Sequence, residues 1–526
     1  MNVVIGSGPA GVAAATALLE RGEQVTVLDA GGTLEPNVES VVDKLSTELP
    51  ERWDPRDVEQ LRGELRPSPE GAPLKLPFGS DYPYRGIDAF MPVLTDGVDA
   101  YRAFAEGGLS VLWGASILPY TDRELRGWPL RAAELRPHYQ AALRLTGLSG
   151  ESDPLEAIYP LLVAPSANLP PSKQALRLLQ QMTMRRSELE SKGIFFGKAR
   201  LAISEPRGAA LECVQCGLCL YGCPYGFIYS SRSTLHRLLN AYPHLRHLPG
   251  FVVRKLTEQA GQVVIEAVSR DSGKPASFRA SRVYLAAGVY ASTAILLASL
   301  GARGVPVRLQ QSDHFLLLLL AERERGVSSE RLHSLSQIFL EIIDESVSEH
   351  TIHLQIYTYN DLYSRMVRKR LGPAHWMAGV FDPLVERLVL IKGYLHSDDS
   401  SGIEATLEPD GDPVLRLRAL RNEQAATTIR AVLEVLRRNK KAIGASPLRF
   451  ALRIGRPGSG AHVGGSFPMD DSPREFASDR LGRPRWLSRV HVVDSSVFTS
   501  LPAPTITLSV MANAHRIASE SAVDRT

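Results

Sequence analysis

The chain has 526 residues, of which 44% are hydrophobic and 22% are charged. These proportions are typical of a folded globular protein and exclude a disordered, collagenous or coiled-coil chain. Lys and Arg total 60 against 57 for Asp and Glu, so the net charge of +3 offers no strongly basic surface to nucleic acid or to an anionic membrane. Four cysteines are too few for a disulfide framework. We therefore expect a small-molecule partner and no nucleic acid.

Two uncharged stretches decide whether a signal peptide or a membrane span is expected. Residues 1–19 lack a basic start and are interrupted by three glycines and a proline, so they do not predict a secretory signal. Residues 283–302 are long enough to span a bilayer, but Gly288 divides them into a β-type run and a helix-like run. We expect a buried strand, turn and helix there, no membrane span, and a cytoplasmic protein.

The coarse organisation predicts two kinds of α/β structure. Residues 2–6, 9–21 and 24–29 read as strand, helix and strand, which form a βαβ unit. Residues 33–90 mix charges with Pro and Gly and predict an extended surface excursion. Strand patterns over 249–300 indicate a return to the first sheet. Residues 314–455 combine strand patterns with an amphipathic helix near 421–443, which indicates a second, substrate-facing domain.

The opening segment VVIGSGPAGVAAA contains a dinucleotide-binding fingerprint, G-x-G-x-x-G, at Gly6, Gly8 and Gly11. Gly6 permits a tight turn, Gly8 lets the backbone approach a pyrophosphate, and Gly11 lets the helix pack on the strand. Asp29 ends the second strand, where a carboxylate accepts hydrogen bonds from ribose hydroxyls. The alternative is a glycine-rich turn beside a surface aspartate, but it does not explain why strand, turn, helix, strand and acid occur in this order. The fingerprint alone does not separate NAD from FAD.

Four further segments carry a family resemblance along the whole chain. They are EGGLSVLWGAS at 106–116, RVYLAAG at 282–288, GSGAHVGGSFPM at 458–469 and VVDSSVFTSLPAPTITLSVMANAHRIA at 492–518. With the fingerprint they resemble the glucose-methanol-choline (GMC) family of FAD-dependent oxidoreductases. The resemblance implies a Rossmann-like FAD-binding domain interleaved with a substrate-binding domain on an antiparallel sheet. We expect the FAD-binding domain over 1–313, the substrate-binding domain over 314–457, and a return to the FAD-binding domain over 458–526.

The resemblance also implies which residues surround the cofactor. Thr505 would open the last helix, whose N-terminal dipole would face the flavin pyrimidine and stabilise the anionic reduced form. The other implied FAD contacts are Gly108 and Ser110 in the turn beside the flavin, Val253 at the adenine, Ala287 and Gly288 along the dinucleotide, and Asp494 and Ser495 near the diphosphate and ring.

His462 in GAHVGG matches the family's active-site histidine, which accepts the substrate hydroxyl proton while hydride leaves for the flavin. An imidazole suits this role because its ordinary pKa lies near working pH, so one ionisation near that value is expected. The family normally places a second His or Asn before a proline in the tail, where this chain has Ala503 before Pro504. Either His462 works alone, or another polar group such as Asn513 reaches in, or the chemistry has changed.

The four cysteines lie in one short segment, ECVQCGLCLYGCPYG, within residues 211–226. Cys213, Cys216, Cys219 and Cys223 form C-x2-C-x2-C-x3-C followed by proline, the spacing of a bacterial-type iron-sulfur site. Zinc usually joins two separated C-x2-C pairs, so it fits less well, and the cysteines could also be unligated or disulfide-bonded. Cys223 either completes a [4Fe-4S] cluster or leaves three cysteines to hold a smaller one. The sugar-dehydrogenase branch of the GMC family is similar in carrying such a cluster.

The expected function follows from the resemblance and the cysteines together. We expect an FAD-dependent dehydrogenase that oxidises an alcohol, in particular a sugar or glycoside hydroxyl, by hydride transfer. The iron-sulfur cluster would pass single electrons to an external acceptor such as a cytochrome, quinone or ferredoxin-like partner. Two alternatives remain: an oxygen-dependent oxidase of the same fold, and a non-catalytic or redox-sensing flavoprotein, which Ala503 suggests.

Overall fold

The computed structural model describes residues 1–526 except 67–73, 205–207, 323, 325, 373–377, 412, 473 and 522–526. In chain order, the helices are α1 Pro9–Glu20, α2 Pro36–Ser46, α3 Pro55–Arg62, α4 Ile87–Phe90, α5 Ala132–Thr146, α6 Lys173–Met184, α7 Arg186–Glu190, α8 Ser231–Ala241, α9 Val289–Ser299, α10 Asp361–Leu371, α11 Ala378–Val385, α12 Glu423–Arg438, α13 Lys440–Ile443 and α14 Thr507–Ser521. The strands are β1 Asn2–Ile5, β2 Val25–Asp29, β3 Val93–Asp96, β4 Ile194–Lys198, β5 Leu245–Pro249, β6 Phe251–Gln259, β7 Gln262–Ser269, β8 Pro275–Ala280, β9 Arg282–Leu285, β10 Pro306–Gln311, β11 His314–Ala321, β12 Ile338–Ile342, β13 Ile352–Tyr357, β14 Leu388–Tyr394, β15 Gly402–Leu407, β16 Leu415–Leu420, β17 Ala445–Pro447, β18 Arg453–Ile454, β19 Val463–Gly464 and β20 Val490–Val492.

A five-stranded parallel sheet with the order β20-β9-β1-β2-β5 holds the predicted βαβ unit. Its central strand β1 is buried throughout because four consecutive residues, NVVI, are covered on both faces. Helix α1 packs against α14, so elements from the two ends of the chain complete one layer. The predicted strand-turn-helix at 283–302 is confirmed as β9 followed by α9.

The predicted return to this sheet over 249–300 is only partly correct. Strand β9 joins the parallel sheet, but β6, β7 and β8 form a separate three-stranded antiparallel sheet. The physical reason is local: Ala260 and Gly261, both with positive φ, make a tight turn that returns β7 directly onto β6. A parallel pairing would have needed a long crossover instead.

The substrate-facing domain is built on a seven-stranded antiparallel sheet, which we call the substrate sheet. Its order is β17-β11-β14-β13-β12-β4, and β18 also pairs with β11. Along β11, the side chains of Phe315, Leu317 and Leu319 point into a core completed by apolar residues of α6 and α12. The antiparallel sheet and the long helix near 421–443 are therefore as predicted. Strand β4 lies outside the expected 314–457 range, because the chain enters this sheet once before the cysteine segment.

The segment 33–90 differs from the predicted extended excursion. It contains α2, α3 and α4, although residues 67–73 lie outside the described part of the chain. The prolines that suggested irregular structure are the first residues of two helices, Pro36 and Pro55, where a missing N–H costs nothing. Asp54 caps the second of these helices by accepting a hydrogen bond from the Arg56 N–H at 2.9 Å.

No helix in the described part of the chain is both long enough and apolar enough to cross a membrane.

Candidate active site

A single cavity of about 610 Å³ lies between the parallel sheet and the substrate sheet. Gly6 and Gly8 of the fingerprint line one end of it, and each of the three fingerprint positions excludes a side chain for a different spatial reason. A Cβ on Gly6 would lie 2.4 Å from the Ala286 carbonyl oxygen, and one on Gly11 would lie 1.9 Å from the Gly6 oxygen. A Cβ on Gly8 would meet only Gly108 Cα at 3.9 Å, so it would project into the cavity. Gly8 thus keeps open a space where a cofactor backbone fits.

Two buried aspartates are fixed by backbone N–H groups beside these glycines. Asp29 accepts hydrogen bonds from the Ser7 N–H at 2.9 Å and from the Gly31 N–H. Asp494 accepts from the Gly288 N–H at 2.9 Å and from the Ser292 hydroxyl. Burial raises the pKa of both carboxyl groups, although these hydrogen bonds oppose the rise. The arrangement orients both carboxyl groups at the carboxyl ends of parallel strands, where dinucleotides bind.

The structure brings the other sequence-predicted cofactor residues to the same cavity. The buried Thr505 hydroxyl has no hydrogen-bond partner among the described residues, just before α14 begins. A buried polar atom of this kind needs a partner, so a bound cofactor fits here. The cavity is lined by Gly108, Ser110, Val253, Ala287, Gly288, Ser495 and Thr505, as well as by Gly6, Gly8, Asp29 and Asp494.

His462 lies at the opposite end of the cavity, against the substrate sheet. Its imidazole stacks on the Tyr394 ring, with centroids 4.5 Å apart and an interplanar angle of 17°. Burial lowers the pKa of His462 to about 3, and its neighbours Lys392, His353 and His314 add to the shift. This value lies below the ordinary histidine pKa from which we expected an ionisation. His462 is therefore neutral across the physiological range, and the same burial makes its imidazole a weaker base than that of a free histidine.

Sequence reasoning missed the polar face of the substrate sheet. Cross-strand partners place His314, Tyr394, His353 and Glu341 in one row across β11, β14, β13 and β12. The buried His353 Nδ1 and Glu341 Oε1 lie 2.7 Å apart. The signal was present in the alternation of HLQIY at 353–357, where every second residue is polar.

The structure does not bring Asn513 or Ala503 to the part of the cavity beside His462. Asn513 is buried within α14, and its side-chain oxygen accepts hydrogen bonds from Arg516 Nε at 3.1 Å and Nη2 at 2.9 Å. It does not line the cavity, and neither does the buried Ala503. We therefore do not assign Asn513 to the reaction. The polar groups beside His462 come from the substrate sheet instead.

The four cysteines form a local cluster beside the cavity wall, with no disulfide between them. The sulfurs accept hydrogen bonds from nearby N–H groups, among them those of Gln215 to Cys213 and of Phe227 to Cys223. Burial raises the pKa of Cys213 to about 12 and that of Cys223 to about 11, so without a metal these thiols stay protonated.

The spacing of the sulfurs bears on the choice of metal. In the described part of the chain, no three cysteine sulfurs all lie within 4.8 Å of one another. A single zinc ion with Zn–S bonds of about 2.3 Å would hold its thiolates roughly 3.8 Å apart. N–H donors to the sulfurs are a feature that tunes iron-sulfur clusters, and a larger cluster separates its ligands further. The described sulfurs therefore do not form a compact site for a single zinc ion.

A second group of potential metal ligands lies at the edge of the substrate sheet. His350, His396 and Asp398 each place one ligand atom within 4.8 Å of the others. The two imidazoles stack almost parallel, with centroids 3.7 Å apart, and His396 Nδ1 accepts a hydrogen bond from the Asp398 N–H at 3.1 Å. Because lone pairs in parallel ring planes do not converge on one ion, we assign no metal to this group.

The five-stranded parallel sheet faces the antiparallel substrate sheet across one cavity. This arrangement is the fold of the GMC oxidoreductases. The chain superposes over its whole length on pyridoxine 4-oxidase from Mesorbium loti, with a TM-score of 0.61, 19% identity and 99% of that chain covered. It matches variants of formate oxidase from Aspergillus oryzae RIB40 over its whole length, with a TM-score of 0.61, 14% identity and 98% coverage.

In sequence, residues 399–514 match the GMC oxidoreductase family model for the C-terminal domain. This segment includes His462, Asp494 and the start of α14. No curated protein sequence matches the chain significantly. Residues 399–514 are therefore similar to the C-terminal domain of GMC oxidoreductases, and the whole chain shares the fold of the structures described above.

Proposed function

We propose that the protein is an FAD-dependent dehydrogenase of the GMC type that oxidises an alcohol, in particular a hydroxyl of a sugar or glycoside. The observation that carries this proposal is the continuity of one cavity, which is lined by Gly8 and Asp29 at one end and by His462 at the other. A dinucleotide held at the first end extends toward a substrate held at the second. The family match over residues 399–514 supports the same assignment.

Different residues of the chain would bind the cofactor and accept the substrate proton. Gly6 and Gly8 admit the pyrophosphate, and Asp29 accepts hydrogen bonds from the ribose. The N-terminus of α14, which lines the cavity, would favour negative charge on a bound flavin through its dipole. When bound, FAD supplies an acceptor for the hydride of the carbinol carbon. His462, kept neutral and held flat against Tyr394, accepts the substrate hydroxyl proton.

We also propose that Cys213, Cys216, Cys219 and Cys223 hold an iron-sulfur cluster, with Cys223 as the fourth ligand of a [4Fe-4S] site. Support comes from their spacing, from the N–H donors around their sulfurs and from their position beside the cavity. Half-buried Lys75 lines the cavity, its Nζ donates to the Trp113 carbonyl at 2.7 Å, and it is near enough to Cys219 to interact with it electrostatically. A cluster here supplies a one-electron route to an external acceptor such as a cytochrome, quinone or ferredoxin-like protein.

The test is anaerobic purification followed by cofactor analysis and stopped-flow reduction with candidate sugars. We expect one FAD per chain, about four irons and four labile sulfides, and a flavin that an alcohol bleaches. Release of NAD, or of no nucleotide, would overturn the flavin assignment. A flavin that no alcohol in a broad panel reduces would favour a redox-sensing role over catalysis.

Cysteine variants test the cluster separately. Cys216→Ser should remove iron and sulfide while the substrate still reduces the flavin. Glu212→Gln, an exposed neighbour in the same segment, is the matched control and should keep the full iron content. Stable four-iron content in Cys223→Ser would show that Cys223 is not a ligand, and zinc in place of iron would end the cluster proposal.

An oxygen-dependent alcohol oxidase is the second candidate, because the structures described above are named as oxidases. The two candidates differ in what reoxidises the flavin. Rapid hydrogen peroxide release in air, with slow reduction of artificial one-electron acceptors, would favour the oxidase. We expect the opposite pattern if electrons leave through the cysteine segment.

A further inference from the structure

A fully buried pair of an imidazole and a carboxylate lies near His462. His353 on β13 and Glu341 on β12 are cross-strand partners, neither side chain is exposed, and His353 Nδ1 lies 2.7 Å from Glu341 Oε1. His353 is close enough to His462 to contribute electrostatically to its lowered pKa. Taking such a pair out of water carries a desolvation penalty, and neither residue lines the cavity. The pair can reach a ligand only through a neighbour that faces the cavity.

Gln355, which follows His353 by two positions on β13, is that neighbour. Its side chain lines the cavity, and its Nε2 lies 3.3 Å from His353 Nε2. An amide nitrogen can only donate, so His353 Nε2 accepts, and the ring proton lies on Nδ1, which donates to Glu341. The carbonyl of Gln355 is occupied as well, because its Oε1 accepts from the Tyr357 hydroxyl at 2.9 Å. Both ends of the amide are thus held by groups of the protein.

One N–H of Gln355 is left for a ligand. The amide nitrogen carries two hydrogens, and only the one directed at His353 has a partner among the residues that the structure describes. His462 Nδ1 is buried and has no hydrogen-bond partner among these residues either. Both side chains line one cavity and His353 is near both, so an amide donor and an imidazole are available to one small ligand. A hydroxyl group complements them, since it donates through its hydrogen and accepts through its oxygen.

We propose that Gln355 is the second polar group of the reaction and that its free N–H donates to the oxygen of the substrate hydroxyl while His462 takes the proton. The proposal rests on the proposed function and assigns a role that Ala503, which does not line the cavity, cannot fill. The hydroxyl proton goes to His462 and the carbinol hydrogen leaves as hydride to bound FAD, so the oxygen gains negative charge before its double bond to carbon is complete. Gln355 gives up no proton and stabilises this charge by its hydrogen bond.

His353, Glu341 and Tyr357 are positioning residues in this proposal. A glutamine amide that could turn over would present its carbonyl oxygen, which repels a negative oxygen, as readily as its N–H. The Tyr357 hydroxyl is a donor and His353 Nε2 is an acceptor, so only one orientation of the amide satisfies both. The Glu341 carboxylate keeps the proton of His353 on Nδ1, which preserves this orientation.

The experiment separates substrate binding from flavin reduction. Holoenzyme is mixed anaerobically with increasing amounts of an alcohol that reduces the wild-type flavin, which gives a dissociation constant and a limiting rate. Gln355→Leu removes the donor and should lower the limiting rate roughly 10-fold to 100-fold, the usual worth of a hydrogen bond to a charged group. The dissociation constant should change less, because the charge develops only during the reaction. Gln180→Leu, at an exposed position of α6, is the matched control and should behave as wild type.

Tyr357 provides the test of positioning. Tyr357→Phe keeps the ring and removes the hydroxyl that holds Gln355 Oε1, so the limiting rate should fall by a smaller factor of about 3-fold to 10-fold. The double variant with Gln355→Leu should lose no more than Gln355→Leu alone, because the hydroxyl then has no amide to orient. Two unrelated structural effects would multiply instead.

Each outcome decides a different question. Absence of FAD, or a wild-type flavin that no alcohol reduces, overturns the proposed function and this proposal with it. With wild-type reduction established, a normal limiting rate in Gln355→Leu, or losses that multiply in the double variant, overturns the role of Gln355 and leaves the proposed function standing. If Gln355→Leu does not fold with FAD, Tyr357→Phe decides: a slower rate at unchanged FAD content supports the proposal, and a wild-type rate overturns it.

Discussion

Ala461, the residue before His462, has a left-handed backbone with a φ of 60°, which a non-glycine residue adopts rarely. The turn directs the His462 side chain back onto Tyr394, while the His462 carbonyl accepts a hydrogen bond from the Ser312 N–H at 3.0 Å. Both sides of His462 are therefore held, by its backbone on one side and by its ring on the other. Sequence alone indicated the residue but not the tyrosine that orients it.

Replacing His462 tests its role as the base. His462→Ala should slow flavin reduction by roughly 100-fold to 10,000-fold, the usual contribution of a positioned base, with FAD content unchanged. The measurement is anaerobic stopped-flow with a verified substrate. His244→Ala, at an exposed site on the surface, serves as the control. Reduction of His462→Ala at the wild-type rate would mean that another group takes the proton.

The pH dependence gives a second test at the same residue. Because the pKa of His462 is lowered to about 3, its imidazole is already neutral at pH 5 and stays neutral as the pH rises. The rate of flavin reduction should therefore not fall between pH 8 and pH 5 through titration of this group. A histidine with an ordinary pKa near 6.5 would lose roughly 30-fold over that range. A loss of that size with its midpoint near pH 6.5 would contradict the burial argument.

At the scale of elements, the sequence predicted those structures whose signal is local. The βαβ unit could be predicted from the order of strand, glycine turn, helix and strand at the N-terminus. Helix α12 could be predicted from its amphipathic pattern. The prolines at the start of α2 and α3 suggested irregular structure, because proline interrupts the interior of a helix. Proline is also favoured at the first position of a helix, and this is where both lie. The row from His314 to Glu341 could not be predicted, since it depends on the register of four strands that are distant in sequence.

Gly393 tests the packing of the substrate sheet. A Cβ at this position would lie 2.2 Å from Phe315 Cζ and 2.8 Å from Leu354 Cδ2, within the buried core. Gly393→Ala should therefore lower the free energy of unfolding by about 1–3 kcal/mol through overpacking. Chemical denaturation of both proteins measures the difference. Gly379→Ala, on an exposed stretch of α11, should show no such loss, and an unaffected Gly393→Ala would mean that the core can rearrange.

At the scale of the whole molecule, one cavity is shared by the two main sheets, so cofactor binding should stabilise both. Free FAD at 100 times its Kd should add about 2.7 kcal/mol to the free energy of unfolding, which is seen as a higher Tm. Gly8→Trp, which fills the open space above Gly8, should abolish the rise. Gly379→Trp is the control and should respond as wild type. A rise in Gly8→Trp equal to that of wild type would place FAD elsewhere.

The parallel sheet begins with β1 near the first residue and is closed by β20 and α14 near the last. During synthesis, this sheet can therefore not be completed until residues 490–492 have left the ribosome. Folding intermediates of the nascent chain expose β1 and β9 without their C-terminal neighbour. A chain that ends at residue 489 would lack β20, Asp494 and α14, and we expect that it would not hold the proposed cofactor.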